Sequence, residues 1–175
     1  MLEKQEQPII KSNFKQIFSP QTAYQMTSIL EGAIQRGTGK RLRDLNLQLA
    51  GKTGTTNKNT DTWFIGFTSN LVVGVYVGHD NPKRLGKYET GSKTALPIFK
   101  EFIKKAVNNY EARPFKIAKG IKMMVVDEET GKKADFGSKK TIIESYKKEK
   151  IENQVFISND KYNSDKLKKN ILKFY

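Results

Sequence analysis

The chain has 175 residues, a formal net charge of +14 and 37% hydrophobic residues, which suits one domain with a modest core. Because it contains no Cys and one His, disulfides and thiolate metal sites are excluded, and we expect no metal or other cofactor. No apolar run reaches the roughly 18 residues that a membrane span needs. The polar start, residues 1–7, predicts no signal peptide, so the chain would stay in the cytoplasm if made as it stands.

The basic charge has two interpretations. It could attract a polyanion such as nucleic acid, anionic lipid or an acidic polymer. It could also reflect a general drift of the composition toward Lys. The lysines are spread along the chain and concentrate after residue 131, which favours drift. We therefore expect no nucleic-acid partner.

The first 18 residues have no clear periodicity and form a lead segment, whereas residues 19–36 predict a helix. Ser19 suits the N-cap, Pro20 the first helical position and Gly37 the exit. Apolar and small residues recur at spacings of three and four, so we expect this stripe to be buried. The stripe consists of Ala23, Met26, Thr27, Leu30, Ala33 and Ile34.

Three strands follow. Residues 47–56 alternate like a half-buried strand, and residues 61–68 and 71–79 are β-rich runs separated by Ser69 and Asn70. The short polar break predicts a tight hairpin, so residues 47–79 should form a three-stranded antiparallel meander. Packing within the sheet is the favoured role of its aromatic residues, with a ligand platform as the alternative. These are Trp63, Phe64, Phe67 and Tyr76.

The rest of the chain predicts less regular structure. After a loop at residues 80–94, Thr94 can cap a second helix, which completes the segment at residues 19–110. Its apolar face would consist of Phe99, Phe102, Ile103, Ala106, Val107 and Tyr110. Residues 111–130 read as a linker with a short strand at 121–127. Residues 131–175, with 12 Lys against 6 Asp and Glu, read as a weakly ordered basic tail. The fold class is α+β.

The informative motif is Gly51-Lys52-Thr53-Gly54, followed by Thr55. A phosphate-binding P-loop also contains Gly-Lys-Thr, but it needs a Gly where this chain has Asn46, and it must open into a helix. Too few residues separate Lys52 from the next predicted strand for that helix to form. The motif therefore does not indicate a nucleotide site.

Lys52-Thr53-Gly54 instead matches the K-T-G motif of penicillin-binding proteins. With the runs at residues 61–68 and 71–78, it resembles the strand trio of the bifunctional, class A members. Further similar stretches lie at residues 23–32, 36–39, 89–91 and 95–99. The resemblance extends over roughly residues 19–130 and identifies the C-terminal part of a transpeptidase domain. It implies a partial fold of this family, with helices flanking the meander.

The resemblance also implies roles in peptidoglycan cross-linking. Lys52 would supply positive charge and a proton relay, and the hydroxyls of Thr53 and Thr55 would hold the substrate carboxylate. The backbone N–H of Thr55 would form half of the oxyanion hole, and Gly54 would leave room for substrate. The ligands implied are a peptidoglycan stem peptide or a β-lactam, and the implied location is the periplasmic face of the inner membrane.

The same family uses an S-x-x-K serine and an S-x-N motif upstream of K-T-G. This sequence has no S-x-N, and it has three S-x-x-K strings that we attribute to its many lysines. These are Ser12 with Lys15, Ser145 with Lys148, and Ser158 with Lys161. We therefore expect the chain to be inactive alone and to bind substrate only when the upstream half of the domain complements it.

Two further expectations follow. The strand at residues 71–78 would keep an open edge, since upstream strands pair with it in the family. The alternative function is a non-catalytic basic interaction module that binds cell wall or a partner.

Overall fold

The computed structural model describes residues 15–107 and 113–148. The elements are α1 (Pro20–Gln35), a 3-10 helix (Lys40–Leu45), β1 (Ala50–Thr55), β2 (Thr62–Phe67), β3 (Val72–Val77), α2 (Ala95–Val107), β4 (Ile121–Asp127) and β5 (Thr141–Lys147). Most of the predicted lead segment, Tyr110, and the predicted tail beyond residue 148 lie outside the described residues. Within those residues, no helix combines the length and apolarity that crossing a membrane requires.

The start of α1 confirms the sequence prediction. Ser19 caps it by accepting a hydrogen bond from the Thr22 N–H at 3.2 Å, and Pro20 occupies the first turn. The predicted stripe is wrong at Ala23 and Met26, which are exposed. The buried positions of α1, Gly32 and Ile34, lie in its C-terminal half. Periodicity located the helix but not the part of its length that reaches the core.

The predicted meander is confirmed, with the strand order β1-β2-β3 and both pairings antiparallel. Burial alternates along β2, where Thr62, Phe64 and Gly66 are buried while Trp63 and Ile65 are exposed. One face of the sheet, which we call the covered face, therefore packs on the core. The opposite surface is called the open face.

The core lies between the covered face and the two helices. The Phe64 and Phe99 rings meet edge-on, with centroids 4.7 Å apart. Gly51 and Gly66, which are paired across β1 and β2, leave the space that these rings fill. A Cβ on Gly66 would lie 2.6 Å from the Phe99 ring, so a larger residue would displace it. The fully buried apolar cluster comprises Ile34, Leu42, Leu49, Phe64, Ala95, Leu96, Phe99 and Ile103.

The predicted second helix is also confirmed as α2. Phe99 and Ile103 of its predicted apolar face are buried, but Phe102 is 50% exposed. The hydroxyl of Thr94 bonds with the Thr62 hydroxyl at 2.6 Å and donates to the Thr90 carbonyl at 3.0 Å. Thr94 thus ties the start of α2 to β2.

The prediction of a weakly ordered tail from residue 131 is wrong for residues 141–147. These form β5, which pairs along its whole length with β4 in a separate two-stranded sheet. The hairpin is bound to α1 by side-chain contacts. Gln25 Nε2 donates to the Ser145 carbonyl at 2.9 Å, and Arg36 bonds Glu144 at 3.1 Å. A two-stranded sheet is marginal alone, so this packing on α1 helps to explain its order.

Candidate functional site

Among residues 15–107 and 113–148, the strand that carries the K-T-G motif, β1, pairs with β2 alone, and we call its other side the free edge. Thr56 N–H donates to the Asp61 carbonyl at 3.0 Å, which marks a hydrogen-bonded pair between the ends of β1 and β2. Antiparallel pairs alternate, so Gly54 also directs its backbone groups toward β2. The N–H and C=O groups of Thr53 and Thr55 consequently point to the free edge of β1. This is the position that strand addition of an extended peptide requires.

The Lys52 side chain reaches this free edge. It leaves β1 on the open face and is exposed. Its ammonium group donates to the Thr53 carbonyl at 3.0 Å and approaches the Thr53 hydroxyl at 3.4 Å. The positive charge therefore lies at the free edge, on the side to which the Thr53 carbonyl points.

The Thr53 hydroxyl has a partner that the sequence did not predict. It lies 2.8 Å from the hydroxyl of Thr38, in the turn that follows α1. That turn is closed by the Gly39 N–H, which donates to the Ala33 carbonyl at 3.0 Å. The end of α1 thus holds the central threonine of the motif.

The Thr55 hydroxyl is also engaged within the chain. It accepts a hydrogen bond from the N–H of Gly91 at 3.0 Å. Gly91 is buried, and a Cβ at this position would lie 2.7 Å from the Gly54 carbonyl and would also collide with the Trp63 carbonyl. The loop before α2 therefore packs directly against β1, which carries the motif, and against β2. Both hydroxyls expected to hold a carboxylate already bond to the protein.

Beside Gly54, the open face carries aromatic side chains. A Cβ on Gly54 would lie 3.2 Å from Trp63 Cβ. The Trp63 and Tyr76 rings lie 4.8 Å apart, as expected for packing within the sheet, but they are 44% and 48% exposed and so lie outside the core. Tyr76 donates to Asp61 at 2.8 Å. Hydrogen bonds from Thr60 and then Tyr76 hold the pKa of the Asp61 carboxyl below its usual value.

The S-x-x-K strings can be placed in part. Ser145 lies in β5, away from β1, and is buried opposite Met123 of β4. Ser12 and Ser158 lie outside the described residues. Within residues 15–107 and 113–148, the hydrogen bonds of the Lys52 ammonium group go to Thr53 alone. In the same ranges, no three His, Asp or Glu residues converge as metal ligands would.

Thr38 and Gly91 are the site neighbours that residue patterns did not single out. Each lies within a short stretch that resembles the penicillin-binding proteins, at residues 36–39 and 89–91. The sequence alone assigned these stretches a family resemblance but no structural role. In the structure, Thr38 contacts Thr53 and Gly91 contacts Thr55.

Comparison with known proteins supports the same family. The family model described as "Penicillin binding protein transpeptidase domain" matches residues 5–104. The chain is 46% identical to penicillin-binding protein 1A of Rickettsia typhi over 154 residues, which cover 86% of this chain and 19% of that protein. It is 40% identical to penicillin-binding protein 1A of Pseudomonas aeruginosa over 136 residues, which cover 77% of this chain and 16% of the relative.

A solved structure agrees with the sequence relatives. The crystal structure of penicillin-binding protein 1A from Haemophilus influenzae matches with a TM-score of 0.65 and 31% identity, covering 73% of this chain and 20% of that one. The chain spans about one fifth of the length of the relatives that it matches. The chain belongs to the penicillin-binding protein transpeptidase family and corresponds to a portion of the transpeptidase domain of a class A member.

Proposed function

We propose that the chain provides the K-T-G wall of a serine-type D-Ala-D-Ala transpeptidase site that cross-links peptidoglycan. One observation supports this most directly. The backbone groups of Thr53 and Thr55 face the free edge of β1, and the Lys52 ammonium group lies 3.0 Å from the Thr53 carbonyl at that edge. Donors, acceptors and a cation thus line one side of a groove suited to a peptide that ends in a carboxylate.

In this proposal the strand binds and polarises the substrate. An extended stem peptide pairs with the free edge, and the N–H of Thr55 donates to the scissile carbonyl oxygen as negative charge develops on it. Lys52 and the threonine hydroxyls orient the terminal carboxylate. Gly54, with no side chain, lets the peptide approach the strand.

The attacking serine and its base would come from the upstream part of the domain, which carries S-x-x-K and S-x-N in the family. The serine oxygen forms a bond to the penultimate D-Ala carbonyl carbon, and the terminal D-Ala leaves as the amine after it gains a proton. An amine of a neighbouring stem peptide then takes the acyl group and frees the serine. Without that upstream part, we expect this chain to form no acyl-enzyme and to bind no substrate. By relation to the family, the assembled site would face the periplasm.

The exposed apolar side chains of the sheet support complementation. Val72 is 70% exposed and Ile65 is 50% exposed, and β3 has one strand neighbour within the described sheet. An open strand edge beside an apolar face favours association with further chain. We propose that the upstream half of the domain pairs with β3 and covers the open face.

Labelling with a fluorescent penicillin tests the proposal. The purified chain is expected to take up no covalent label. When it is co-expressed with the upstream transpeptidase half of a relative such as the Rickettsia typhi protein, we expect label on that half. The Lys52→Ala change should lower the labelling rate by about a hundredfold, as expected when a preorganised charge is lost from such a site. Lys140→Ala, at an exposed hairpin position, is the matched control.

Two outcomes would contradict the proposal. Covalent label on this polypeptide by itself would place a nucleophile within it. If the co-expressed halves form a complex and the parent and the Lys52→Ala variant take up label at the same rate, Lys52 has no role in the reaction with penicillin. Capture of peptidoglycan fragments that persists in a Lys52→Ala, Thr53→Ala double variant would favour the non-catalytic wall-binding alternative.

A further inference from the structure

The hydroxyl of Thr53, at the centre of the K-T-G motif, lies between two polar groups. The Thr38 hydroxyl lies 2.8 Å from it, and the Lys52 ammonium group approaches it at 3.4 Å. The same ammonium group donates at 3.0 Å to the Thr53 carbonyl, which points to the free edge of β1. Lys52 belongs to the motif strand itself, whereas Thr38 contacts the motif from the turn between α1 and the 3-10 helix.

The backbone around Thr38 is fixed on both sides. A Cβ on Gly37 would lie 2.8 Å from a carbonyl oxygen of α1, and a Cβ on Gly39 would lie 3.1 Å from the Cα of Ile34, which is buried. After the turn, the N–H of the buried Leu42 donates to the Gly39 carbonyl at 2.9 Å. The turn is therefore packed closely against the end of α1 and anchored in the core, so it presents the Thr38 side chain to β1 in one position.

The direction of the bond between the two hydroxyls decides what Thr53 offers a ligand. A hydroxyl group has one O–H donor and two acceptor lone pairs, whereas an ammonium group only donates. Lys52 therefore approaches one lone pair of the Thr53 oxygen. When Thr38 donates to the other lone pair, the O–H of Thr53 is left to donate to an acceptor at the free edge. Hydrogen bonds arranged in such a chain polarise and strengthen one another.

From this arrangement we infer that Thr38 is a positioning residue for substrate recognition. It orients the O–H of Thr53 toward the terminal carboxylate of the stem peptide, while Lys52 supplies the charge. A carboxylate only accepts hydrogen bonds, so a hydroxyl held as a donor favours it over an uncharged peptide end. The inference rests on the proposed transpeptidase site and deepens it, because it adds a residue outside the K-T-G strand to carboxylate recognition.

Penicillin labelling of the complex with the upstream half of the Rickettsia typhi protein tests the inference. Thr38→Val keeps the β-branched shape but removes the hydroxyl, so it should slow labelling about tenfold, the lower end for a hydrogen bond to a charged group. Thr38→Ser keeps the hydroxyl and should label within about threefold of the parent. Thr141→Val removes a hydroxyl from an exposed position at the start of β5, and this matched control should label at the parent rate.

The methyl ester of the same fluorescent penicillin separates carboxylate recognition from a general defect. The ester lacks the anionic carboxylate, so Thr38→Val should change its slower labelling rate by less than about twofold. Three outcomes would overturn the role of Thr38 and leave the transpeptidase proposal standing: equal slowing with acid and ester, failure of Thr38→Ser to restore the rate, or parent-like labelling of Thr38→Val when Lys52→Ala labels slowly. Equal labelling of the parent and Lys52→Ala would remove both proposals.

A measurement on the full chain alone does not depend on complementation. Three-bond couplings from the Thr53 Cγ2 carbon to the backbone nitrogen and carbonyl carbon report the χ1 angle of Thr53. We expect the values of a single rotamer in the parent, Thr38→Ser and Thr141→Val, and values averaged over rotamers in Thr38→Val. Parent-like couplings in Thr38→Val would overturn the inference. Matching thermal unfolding curves exclude loss of fold as the cause of any change.

Discussion

Replacing Gly91 by Ala tests how tightly the loop before α2 packs against β1, the strand that carries the K-T-G motif. The added methyl group would lie 2.7 Å from the Gly54 carbonyl, 3.2 Å from Thr53 Cβ, and closer still to the Trp63 carbonyl. Two of these three neighbours are backbone atoms in paired strands, which cannot rotate away as a flexible side chain would. We therefore expect the loop to lift from β1 and the Gly91–Thr55 hydrogen bond to be lost.

The expected loss of stability follows from the steric clash and the lost hydrogen bond. Overpacking typically costs about 1–3 kcal/mol, and loss of the hydrogen bond adds about 1 kcal/mol. The sum, about 2–4 kcal/mol, should lower the melting temperature of a chain this size by roughly 5–15 °C. Circular dichroism on heating measures the shift. Amide hydrogen exchange should also show faster exchange at Gly91, whose N–H donates to Thr55.

Gly74→Ala is the matched control, because a Cβ there would meet one atom, Ile65 Cγ1, at 3.9 Å. We expect it to leave stability unchanged or to raise it by up to about 1 kcal/mol, since Ala narrows the unfolded ensemble. If Gly91→Ala melts within 1 °C of the parent, or if both glycine variants lose the same stability, the described loop contact is incorrect.

Two further changes test the charges around α1. Burial raises the pKa of Glu31 from its ordinary 4.5 to about 6, so the folded state holds this proton more tightly than the unfolded state, and stability falls as pH rises through this interval. Glu31→Gln should raise the free energy of unfolding by about 1 kcal/mol at pH 7.5, a modest gain because the carboxyl remains partly solvated, and by almost nothing at pH 4.5. Urea titrations measure both values, and equal gains at the two pH values would contradict burial of the charged carboxylate as the cause. Arg36→Gln and Glu144→Gln, measured singly and together, should reveal a coupling of about 0.2–1 kcal/mol that shrinks in high salt, as expected for a partly exposed pair. A coupling of zero at low salt would mean that this ion pair does not hold the hairpin to α1.

Local sequence signals were sufficient for the elements around the site. Ser19 and Pro20 marked the start of α1 because capping depends on neighbouring residues. The two β-rich runs separated by Ser69 and Asn70 marked a hairpin because a two-residue polar break suits a tight turn between paired strands. The alternation of residues 47–56 located the K-T-G strand, and its family resemblance supplied roles for Lys52 and Thr55 that still await the experiments above.

The remaining features depend on contacts between distant parts of the chain. Thr38 and Thr53 are 15 positions apart, and Thr55 and Gly91 are 36 apart, so no local pattern could join them. The strand β5 was missed because Ile142 and Ile143 are adjacent rather than alternating and lysines surround them. Its order depends on pairing with β4 and on side chains of α1 that a sequence window does not contain.

The engaged hydroxyls of β1 bear on how tightly an incoming anion could be held. The Thr55 hydroxyl accepts a hydrogen bond from the Gly91 N–H, so its own O–H remains able to donate to a carboxylate. The Thr53 hydroxyl can donate to a carboxylate in the same way when Thr38 is the donor in the bond that joins these two hydroxyls. An ammonium group has three N–H donors, and that of Lys52 contacts two acceptors of one residue. In the proposed site, the charge that attracts an anionic peptide terminus would come from Lys52, and the two threonine hydroxyls would orient that terminus.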